Sequence, residues 1–344
     1  LIGGSIGLAA RGEGHEVTGW DPDPGALERA TGSGALSRAA ASVEEAAGVA
    51  DIVFACAPVS ALPGLVRQAL GAAGPQTLVT DVGSTKRAIA SIDDERFVGG
   101  HPIAGAETAG VENARATLFH GATWYLTPSE RSSGVLYERL HSLLARLGAR
   151  PVAIDAEAHD RLLAAVSHLP HVIANVLVSQ VAARLRDQGE GLPRVGPSFR
   201  DVTRVAGANS AIWTDIYVSN ADAIADEIEA LARGLGEVAG SLRDREAMAE
   251  WNERAAEDRR ALLEADLAGG PVHELQVSVP NRPGIVAQVA LALGRGGVNI
   301  ADMALAPAPD NRSGAITLWI TGDGAGARAA ELIESLGFPV ADVG

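Results

Sequence analysis

The residue best suited to chemistry in this sequence is a histidine that follows a predicted strand. His101 opens the segment HPIAGAE, directly after the apolar run Phe97–Gly100. Because histidine titrates near neutral pH, His101 could accept a proton from a substrate hydroxyl while hydride leaves the adjacent carbon. Glu107, at the end of the same segment, could orient that site. An ordinary loop histidine explains the spacing equally well.

Two further histidines, His168 and His171, lie three residues apart on one face of a predicted helix. No cysteine or carboxylate stands near them at ligand spacing, so the pattern does not favour a zinc site. Taken alone, the pair is better explained as polar residues beside the helix break or kink that Pro170 predicts.

A third candidate is the segment SFRDVTRVA, in which Arg200 and Arg204 bracket Asp201, and which Trp213 follows. Arginine binds carboxylates through two parallel hydrogen bonds, which suits a carboxylated substrate. Ion pairs along a solvated helix face account for the same spacing. Both interpretations stay open at this point.

The opening residues predict part of a dinucleotide-binding turn. Gly3 fits the third glycine of G-x-G-x-x-G, where the chain enters a helix. Asp21 ends the next predicted strand, where a carboxylate hydrogen-bonds the ribose of NAD and repels the additional phosphate of NADP. No strand precedes Leu1, so we expect that the sequence begins inside the motif. A surface glycine turn followed by an Asx-Pro turn is the alternative.

Two glycine-containing turns after strands are further candidates. In Asp81-Val82-Gly83-Ser84-Thr85-Lys86 a hydroxyl and the chain's only lysine follow a strand end, where ligands bind in doubly wound sheets. Ser84 could also cap the next helix. In Pro280-Asn281-Arg282-Pro283-Gly284 a turn that starts a helix could present backbone N–H groups to an amino-acid carboxylate. A purely structural turn is the alternative for the second segment.

The order of the predicted elements gives the architecture that positions these residues. Strands at 15–20, 51–56, 77–81, 97–100 and 123–126 alternate with helices, which predicts a parallel sheet with crossover connections. Helical periodicity then runs from 156 to 267. After Gly269-Gly270-Pro271 comes a βαββαβ order in the last part of the chain. We therefore predict domains at 1–154, 155–269 and 272–344.

Composition excludes several classes of protein. The chain has 28 basic and 43 acidic residues, a net charge of −15, which argues against nucleic acid or anionic membrane as a partner. Cys56 is the only cysteine, so no intrachain disulfide can form. We find no unbroken apolar run of membrane-spanning length and no secretory signal, and expect a cytoplasmic protein.

Together these segments resemble the prephenate dehydrogenase family of tyrosine biosynthesis. LIGGSIGL, GWDPDP, DVGSTK, HPIAGAE, SHLPH and SFRDVTRVA followed by Trp213 stand in the family's order over residues 1 to about 220. The tail NRPGIVAQVALALGRGGVNI looks like an ACT regulatory domain. The resemblance implies an α/β Rossmann-type domain, an all-α dimerisation domain and a small α+β ACT domain.

The resemblance also implies NAD-dependent oxidative decarboxylation of prephenate to 4-hydroxyphenylpyruvate, without a metal, by a homodimer that tyrosine could regulate. The residues that match family positions are His101, Ser84 and Glu107 for catalysis; Arg204, His168, His171 and Trp213 for substrate; Leu1, Ile2, Gly3, Asp21, Pro58 and Ser84 for NAD; and Asn281, Arg282, Pro283, Gly284 and Asn299 for an ACT ligand.

One departure and three alternatives remain. Ala106 stands where the family usually has threonine or serine, which puts one minor hydroxyl contact in doubt. Arogenate dehydrogenase performs the same chemistry on the transaminated substrate. A nonenzymatic amino-acid sensor would have lost residues that are intact here. A β-hydroxy acid dehydrogenase generally uses a lysine base from its helical domain, whereas Lys86 lies in the first domain.

Overall fold

The computed structural model describes residues 1–105, 108, 110–187, 195–266, 272–280, 285, 288–289, 292–293, 296, 298–308, 313–322 and 324–342. The chain forms two compact units, one of residues 1–192 with 202–232 and one of residues 193–201 with 233–344. The three domains predicted at 1–154, 155–269 and 272–344 stay a prediction.

The first unit contains two sheets. β1 (Thr18–Gly19) and β2 (Arg38–Ala39) form a short parallel pair, so the strand predicted at 15–20 is reduced to two residues. The larger sheet has five strands in chain order: β3 (Ile52–Ala55), β4 (Leu78–Asp81), β5 (Phe97–Pro102), β6 (Thr123–Thr127) and β7 (Arg150–Ala153).

The prediction of a purely parallel sheet is wrong at one junction. β3, β4 and β5 are parallel, but β6 runs antiparallel to β5, with Gly99 opposite Thr127. A parallel pairing needs a crossover connection, usually a helix. Between β5 and β6 the described residues contain one 3-10 turn, Val111–Asn113, and no longer helix. The chain therefore returns in the opposite direction, and the sheet is mixed.

Helices pack on both faces of this sheet, which explains why β4 is buried along its whole length. Leu78 packs in a cluster with residues of the first and sixth helices, whereas its neighbour Val79 packs with residues of the fourth. The helices are α1 (Ile2–Gly12), α2 (Pro24–Gly32), α3 (Val43–Gly48), α4 (Leu62–Ala72), α5 (Arg87–Ala90) and α6 (Gly134–Arg146).

The described residues of 156–187 and 195–266 are mostly helical, as the periodicity predicts. The helices are α7 (Ala156–Leu163), α8 (Leu169–Asp187), α9 (Pro197–Val202), α10 (Ser210–Ser219), α11 (Ala221–Ser241) and α12 (Arg245–Asp266). A π turn, Ala164–His168, joins α7 to α8, and the Leu169 N–H bonds the Ala164 carbonyl five residues back. The break or kink predicted at Pro170 takes this form, because proline has no N–H to continue the α-helical ladder.

The run Ala156–Arg186 bears on the expectation that the chain has no membrane-spanning segment. By length and composition it could cross a membrane, with a mean hydropathy of 1.6 over an 18-residue window, although it contains no unbroken apolar stretch of membrane-spanning length. A core helix can satisfy the same criterion. Val166 and Val176 on this run are 61% and 58% exposed in the single chain, so part of its apolar surface is available to a partner.

The second unit contains a four-stranded antiparallel sheet in the order β11-β8-β10-β9. Its strands are β8 (Val272–Pro280), β9 (Asn299–Pro307), β10 (Ser313–Thr321) and β11 (Val340–Asp342), and α13 (Ala325–Ser335) precedes β11. Ile285, Val289 and Leu293 lie in helical backbone between β8 and β9 and pack in the core of this unit. The described elements follow the order β8, β9, β10, α13, β11, and residues 285, 288–289 and 292–293 between β8 and β9 are helical.

Candidate active site

His101 lies at the carboxyl end of β5, inside the strand rather than just after it as predicted. It is 9% exposed, and Tyr125 of β6 is its partner across the sheet. Burial lowers the pKa of His101 well below its ordinary value of 6.5, and the positive charge of Lys86 lowers it further. Near pH 7 His101 is therefore neutral and has one ring nitrogen that can accept a proton.

A second histidine, His159 of α7, contacts His101. Nδ1 of His101 lies 2.9 Å from Nε2 of His159, and Nδ1 of His159 lies 2.8 Å from Oδ1 of Asp160. The Asp160 carboxylate also accepts the backbone N–H groups of Lys86 and Arg87, at 2.7 and 2.9 Å. His159 and Asp160 are buried, so one hydrogen-bonded chain joins β5 to α7 and to the start of α5.

Lys86 holds the ends of two strands together. It is fully buried and forms an ion pair with Asp81, the last residue of β4. The Asp81 carboxylate also accepts the N–H groups of Gly83 and Gly100, at 2.8 and 3.0 Å. A side chain at position 100 would not fit, because its Cβ would lie 2.7 Å from the Asp81 carbonyl oxygen. Ser84, in the same turn, is half-buried at this edge of the sheet.

His168 is the last residue of the π turn, and Asn220 fixes its tautomer. Nδ2 of Asn220 donates to the Asp160 carbonyl at 2.8 Å and lies 3.1 Å from Nδ1 of His168. The carbonyl can only accept, so the amide nitrogen faces it, and His168 accepts at Nδ1. Burial lowers the pKa of His168 to about 4. Neutral His168 therefore carries its proton on Nε2, as a hydrogen-bond donor.

The π turn also determines where His168 points. His159 and His168 are nine residues apart, which in an uninterrupted α-helix places side chains about 180° apart. The wider π turn reduces that angle, and both side chains are buried and contact the group formed by Asp160 and Asn220. π turns are frequent at functional sites, and this one brings two helical histidines toward the end of β5.

A cavity of about 190 Å³ lies beside this group and includes His171, Asn175, Trp213 and Tyr217 in its wall. His171 stacks on Trp213 with ring centroids 3.5 Å apart and an interplanar angle of 24°. Nδ1 of His171 is buried and has no hydrogen-bond partner in the described part of the chain. Burial, and then the charge of Arg204, lowers the pKa of His171. An aromatic wall, an unused polar atom and a nearby guanidinium suit a ring compound with a carboxylate.

The start of α1 fits a bound dinucleotide. Leu1, the residue before α1, makes no capping hydrogen bond with its side chain, and Ile2 to Ser5 include no acidic residue that would oppose a phosphate. A Cβ at Gly3 would lie 3.2 Å from the Cβ of Cys56, so the glycine lets α1 approach the chain just after β3. Helix N-termini of this kind bind pyrophosphate. Pro58 follows the same strand, and exposed Asp21 follows β1.

Some predicted site residues lie outside the described residues. These are Glu107 of the HPIAGAE segment and the four turn residues Asn281, Arg282, Pro283 and Gly284. Asn299, the remaining residue predicted for an ACT ligand, begins β9 opposite Thr321. Their functional roles stay predictions.

Sequence reasoning missed three polar residues of the group: His159, Asp160 and Asn220. The first two form a histidine–aspartate pair just inside α7, four and five residues after its cap Asp155. Such a pair in the first turns of a predicted substrate domain could have indicated these site residues, because buried histidines and carboxylates need hydrogen-bond partners. Asn220 lies between α10 and α11, where nothing local distinguishes it from an ordinary helix-end residue.

Comparison with known proteins identifies the family. Residues 6–153 match the family model "Prephenate dehydrogenase, nucleotide-binding domain" and residues 155–253 match "Prephenate dehydrogenase, dimerization domain". The prephenate dehydrogenase of Lactococcus lactis is 30% identical over 303 residues, which is 85% of this chain and 84% of that protein.

Solved structures give the same result. Prephenate dehydrogenase from Aquifex aeolicus, in complex with hydroxyphenyl propionate and NAD⁺, has a TM-score of 0.68 at 27% identity, covering 77% of this chain and 94% of that one. Synechocystis arogenate dehydrogenase has a TM-score of 0.66 at 25% identity, covering 75% and 95%. The chain therefore belongs to the prephenate dehydrogenase family of NAD-dependent oxidoreductases.

Proposed function

We propose that this protein converts prephenate to 4-hydroxyphenylpyruvate and CO₂ with reduction of NAD⁺, as a step of tyrosine biosynthesis. The observation that carries the proposal is the neutral, buried His101 at the end of β5, in the same group of side chains as His168. A hydrogen-bond acceptor of this kind suits an alcohol oxidation whose driving force comes from aromatisation, so that no strong base is needed.

His101 is the proposed proton acceptor for the hydroxyl on the substrate ring. Bound NAD⁺ would supply the acceptor for the hydride that leaves the carbon carrying this hydroxyl. As the ring carboxylate leaves as CO₂, its bonding electrons enter the ring, and the proton held by His101 returns to the ring oxygen, which becomes the phenol. Ser84 and Glu107 are proposed to assist at the same hydroxyl and at His101.

The cavity beside His171 is the proposed site for the remainder of the substrate. Arg204 is proposed to hold a substrate carboxylate, as a guanidinium does through paired hydrogen bonds. The stacked pair of His171 and Trp213 forms a flat wall against which the ring or its side chain can pack. His168, with its proton on Nε2, can donate a hydrogen bond to a substrate oxygen.

The proposed cofactor contacts are the start of α1 for the pyrophosphate and Asp21 for the ribose. The backbone of Leu1, Ile2 and Gly3 would supply N–H groups, and Pro58 and Ser84 would line the path toward the nicotinamide. A carboxylate at Asp21 favours NAD⁺, because the additional phosphate of NADP⁺ would be repelled.

The deciding experiment follows NADH formation with prephenate and with arogenate in parallel, and then with NADP⁺ replacing NAD⁺. We expect prephenate with NAD⁺ to give the highest kcat/KM. A higher value with arogenate would assign the alternative substrate, on which the same residues would act. No turnover with either substrate would contradict the proposed function and favour a nonenzymatic sensor.

The four-stranded sheet of the second unit supports the further proposal that residues 272–344 form an ACT domain. Its four-stranded antiparallel sheet, with helical residues between β8 and β9 and α13 before β11, suits a small regulatory module. An amino-acid effector would bind at Asn281 to Gly284 and at Asn299, and tyrosine, the end product, is the first candidate. Activity unchanged by millimolar tyrosine would contradict this assignment.

We also propose a homodimer in the cytoplasm. The match of residues 155–253 to a dimerisation domain supports the dimer, and exposed Val166 and Val176 give the helical run an apolar surface for a second copy. Light scattering coupled to size exclusion would measure the mass of the assembly. A monomer at micromolar concentration would contradict the proposed dimer.

A further inference from the structure

We propose that His159 and Asp160 are positioning residues, which act through His101 by fixing the ring nitrogen that accepts the substrate proton. The inference rests on the proposed function for the source of that proton, the ring hydroxyl. Its structural part, the placement of protons along the chain of side chains, can be tested without any substrate.

Asp160 lies at the far end of this chain of side chains from His101. Its ionised carboxylate can only accept hydrogen bonds, and it already accepts the N–H groups of Lys86 and Arg87. Nδ1 of His159 lies 2.8 Å from the same carboxylate, so this nitrogen must carry a proton. Asp160 thus sets the tautomer of His159, as the aspartate of a serine-protease triad sets that of its histidine.

The tautomer of His159 in turn sets the tautomer of His101. When Nδ1 carries the only ring proton, His159 presents a lone pair at Nε2, which lies 2.9 Å from Nδ1 of His101. His101 must donate at Nδ1 and therefore has its own lone pair at Nε2. The opposite tautomer of His101 would present an N–H at Nε2 and could not take a proton there. Two buried residues therefore select the reactive form of a third.

The chain also stabilises the product of the proton transfer. When the hydroxyl proton moves to Nε2, His101 becomes a cation whose Nδ1–H still bonds His159. The negative charge of Asp160 lies one imidazole further along, in a region from which water is excluded, where charges interact strongly. The proton returns from Nε2 to the ring oxygen, so His159 and Asp160 need not gain or lose a proton.

A purely structural role is the competing explanation, since Asp160 also bonds two N–H groups at the start of α5. Two substitutions at His159 separate the explanations. In His159→Gln the amide keeps one donor and one acceptor. In His159→Leu neither remains, while Asp160 keeps both of its backbone bonds. We expect His159→Leu to lower kcat about 10²–10⁴-fold, the usual value of a general base, with little change in substrate KM. His159→Gln should recover most of this loss.

The charge of Asp160 is tested against a matched control on the same helix. Asp155 caps α7 through Glu157 and Ala158, at 2.9 and 3.0 Å, and has no part in the chain to His101. We expect Asp160→Asn to lower kcat by about tenfold or more, since the neutral amide cannot stabilise the cation, and Asp155→Asn to leave kcat within about twofold. Equal kcat values for the two variants would overturn the electrostatic part of the proposal.

Coupling to His101 gives the sharpest kinetic result. Residues that act as a unit show non-additive losses. The double variant His101→Asn/His159→Leu should be no slower than His101→Asn, because His159 acts only through His101. Losses that multiply in the double variant, or a kcat for His159→Leu within about threefold of wild type, would overturn the positioning role.

Nitrogen-15 NMR of the full chain with labelled histidine decides the proton placement independently. The ring signals of His101 and His159 are assigned from their disappearance in His101→Asn and His159→Gln. At pH 7 we expect both rings to be neutral with the proton on Nδ1. A proton on Nε2 of His101, or a doubly protonated His159, would overturn the proposal. If the enzyme turns over neither prephenate nor arogenate, the proposed function fails, and these spectra still decide the positioning role.

Discussion

Replacing Lys86 by methionine tests how the end of the central sheet is held together. Methionine has about the length of lysine but no charge, so Lys86→Met leaves the Asp81 carboxylate buried without its cation. Both side chains of the ion pair are 0% exposed. The N–H groups of Gly83 and Gly100 still donate to Asp81, so two of its three partners remain.

The magnitude follows from that geometry. Removing one partner of a buried ion pair costs about 3–5 kcal/mol, because an uncompensated charge stays out of water. Since two charge-assisted hydrogen bonds persist, we expect a loss near the lower end, about 3 kcal/mol. A domain is stable by only about 5–15 kcal/mol, so the variant should unfold at a clearly lower urea concentration.

The assay is urea unfolding followed by circular dichroism and by the fluorescence of buried Trp124, which is near Gly100. Asp81→Asn combined with Lys86→Met is the matched control, because it removes the unpaired negative charge of Asp81. This double variant should be more stable than Lys86→Met alone. The charge of Lys86 also lowers the pKa of His101, so the acid limb of the kcat/KM profile should move to higher pH in Lys86→Met. An unfolding free energy within about 0.5 kcal/mol of wild type would refute the reasoning.

Three further predictions concern the histidines and Arg204. His101→Asn should lower kcat by about 10²–10⁴-fold and leave the Kd for NAD⁺ nearly unchanged in a fluorescence titration; near-wild-type kcat would remove His101 from catalysis. Arg204→Gln should mainly raise the KM for prephenate in initial-rate measurements, and an unchanged KM would argue against its carboxylate contact. The pKa of buried His168 is about 4 in the folded state against an ordinary value of 6.5, so protonation favours the unfolded state. The free energy of unfolding therefore decreases as pH falls below 6.5. At pH 5 this decrease is about 2 kcal/mol, so His168→Asn should lose about 2 kcal/mol less stability than wild type between pH 7 and pH 5 in urea titrations; equal losses would show that His168 is not the group responsible.

Local sequence was a good guide to the elements and a poor guide to how two of them pair. Apolar runs at 51–56, 77–81 and 97–100 correspond to β3, β4 and β5, because buried strands need continuous apolar side chains. The direction of β6 was predicted wrongly. Strand direction depends on the path of the connection, and the segment after His101 carries no periodic pattern that distinguishes a crossover from a return.

The residues of the candidate site were likewise predicted only in part from the sequence. His101, His168, His171, Arg204 and Trp213 were singled out from residue type and spacing, and the family prediction that they carried is confirmed by the matches to both domain models. His159 and Asn220 were passed over. They are 61 residues apart in the sequence, and the hydrogen bonds that make them part of the site reach across α7, the π turn and the end of α10.

The sequence by itself determined the family, the use of a dinucleotide and the residue types available for chemistry, because glycine turns, strand ends and helix faces are local patterns. Only the tertiary structure decided the protonation of those residues. The neutrality of His101 comes from its burial and from Lys86, and the tautomer of His168 comes from Asn220. Desolvation and hydrogen-bond partners arise from packing between distant segments, and no local spacing encodes them.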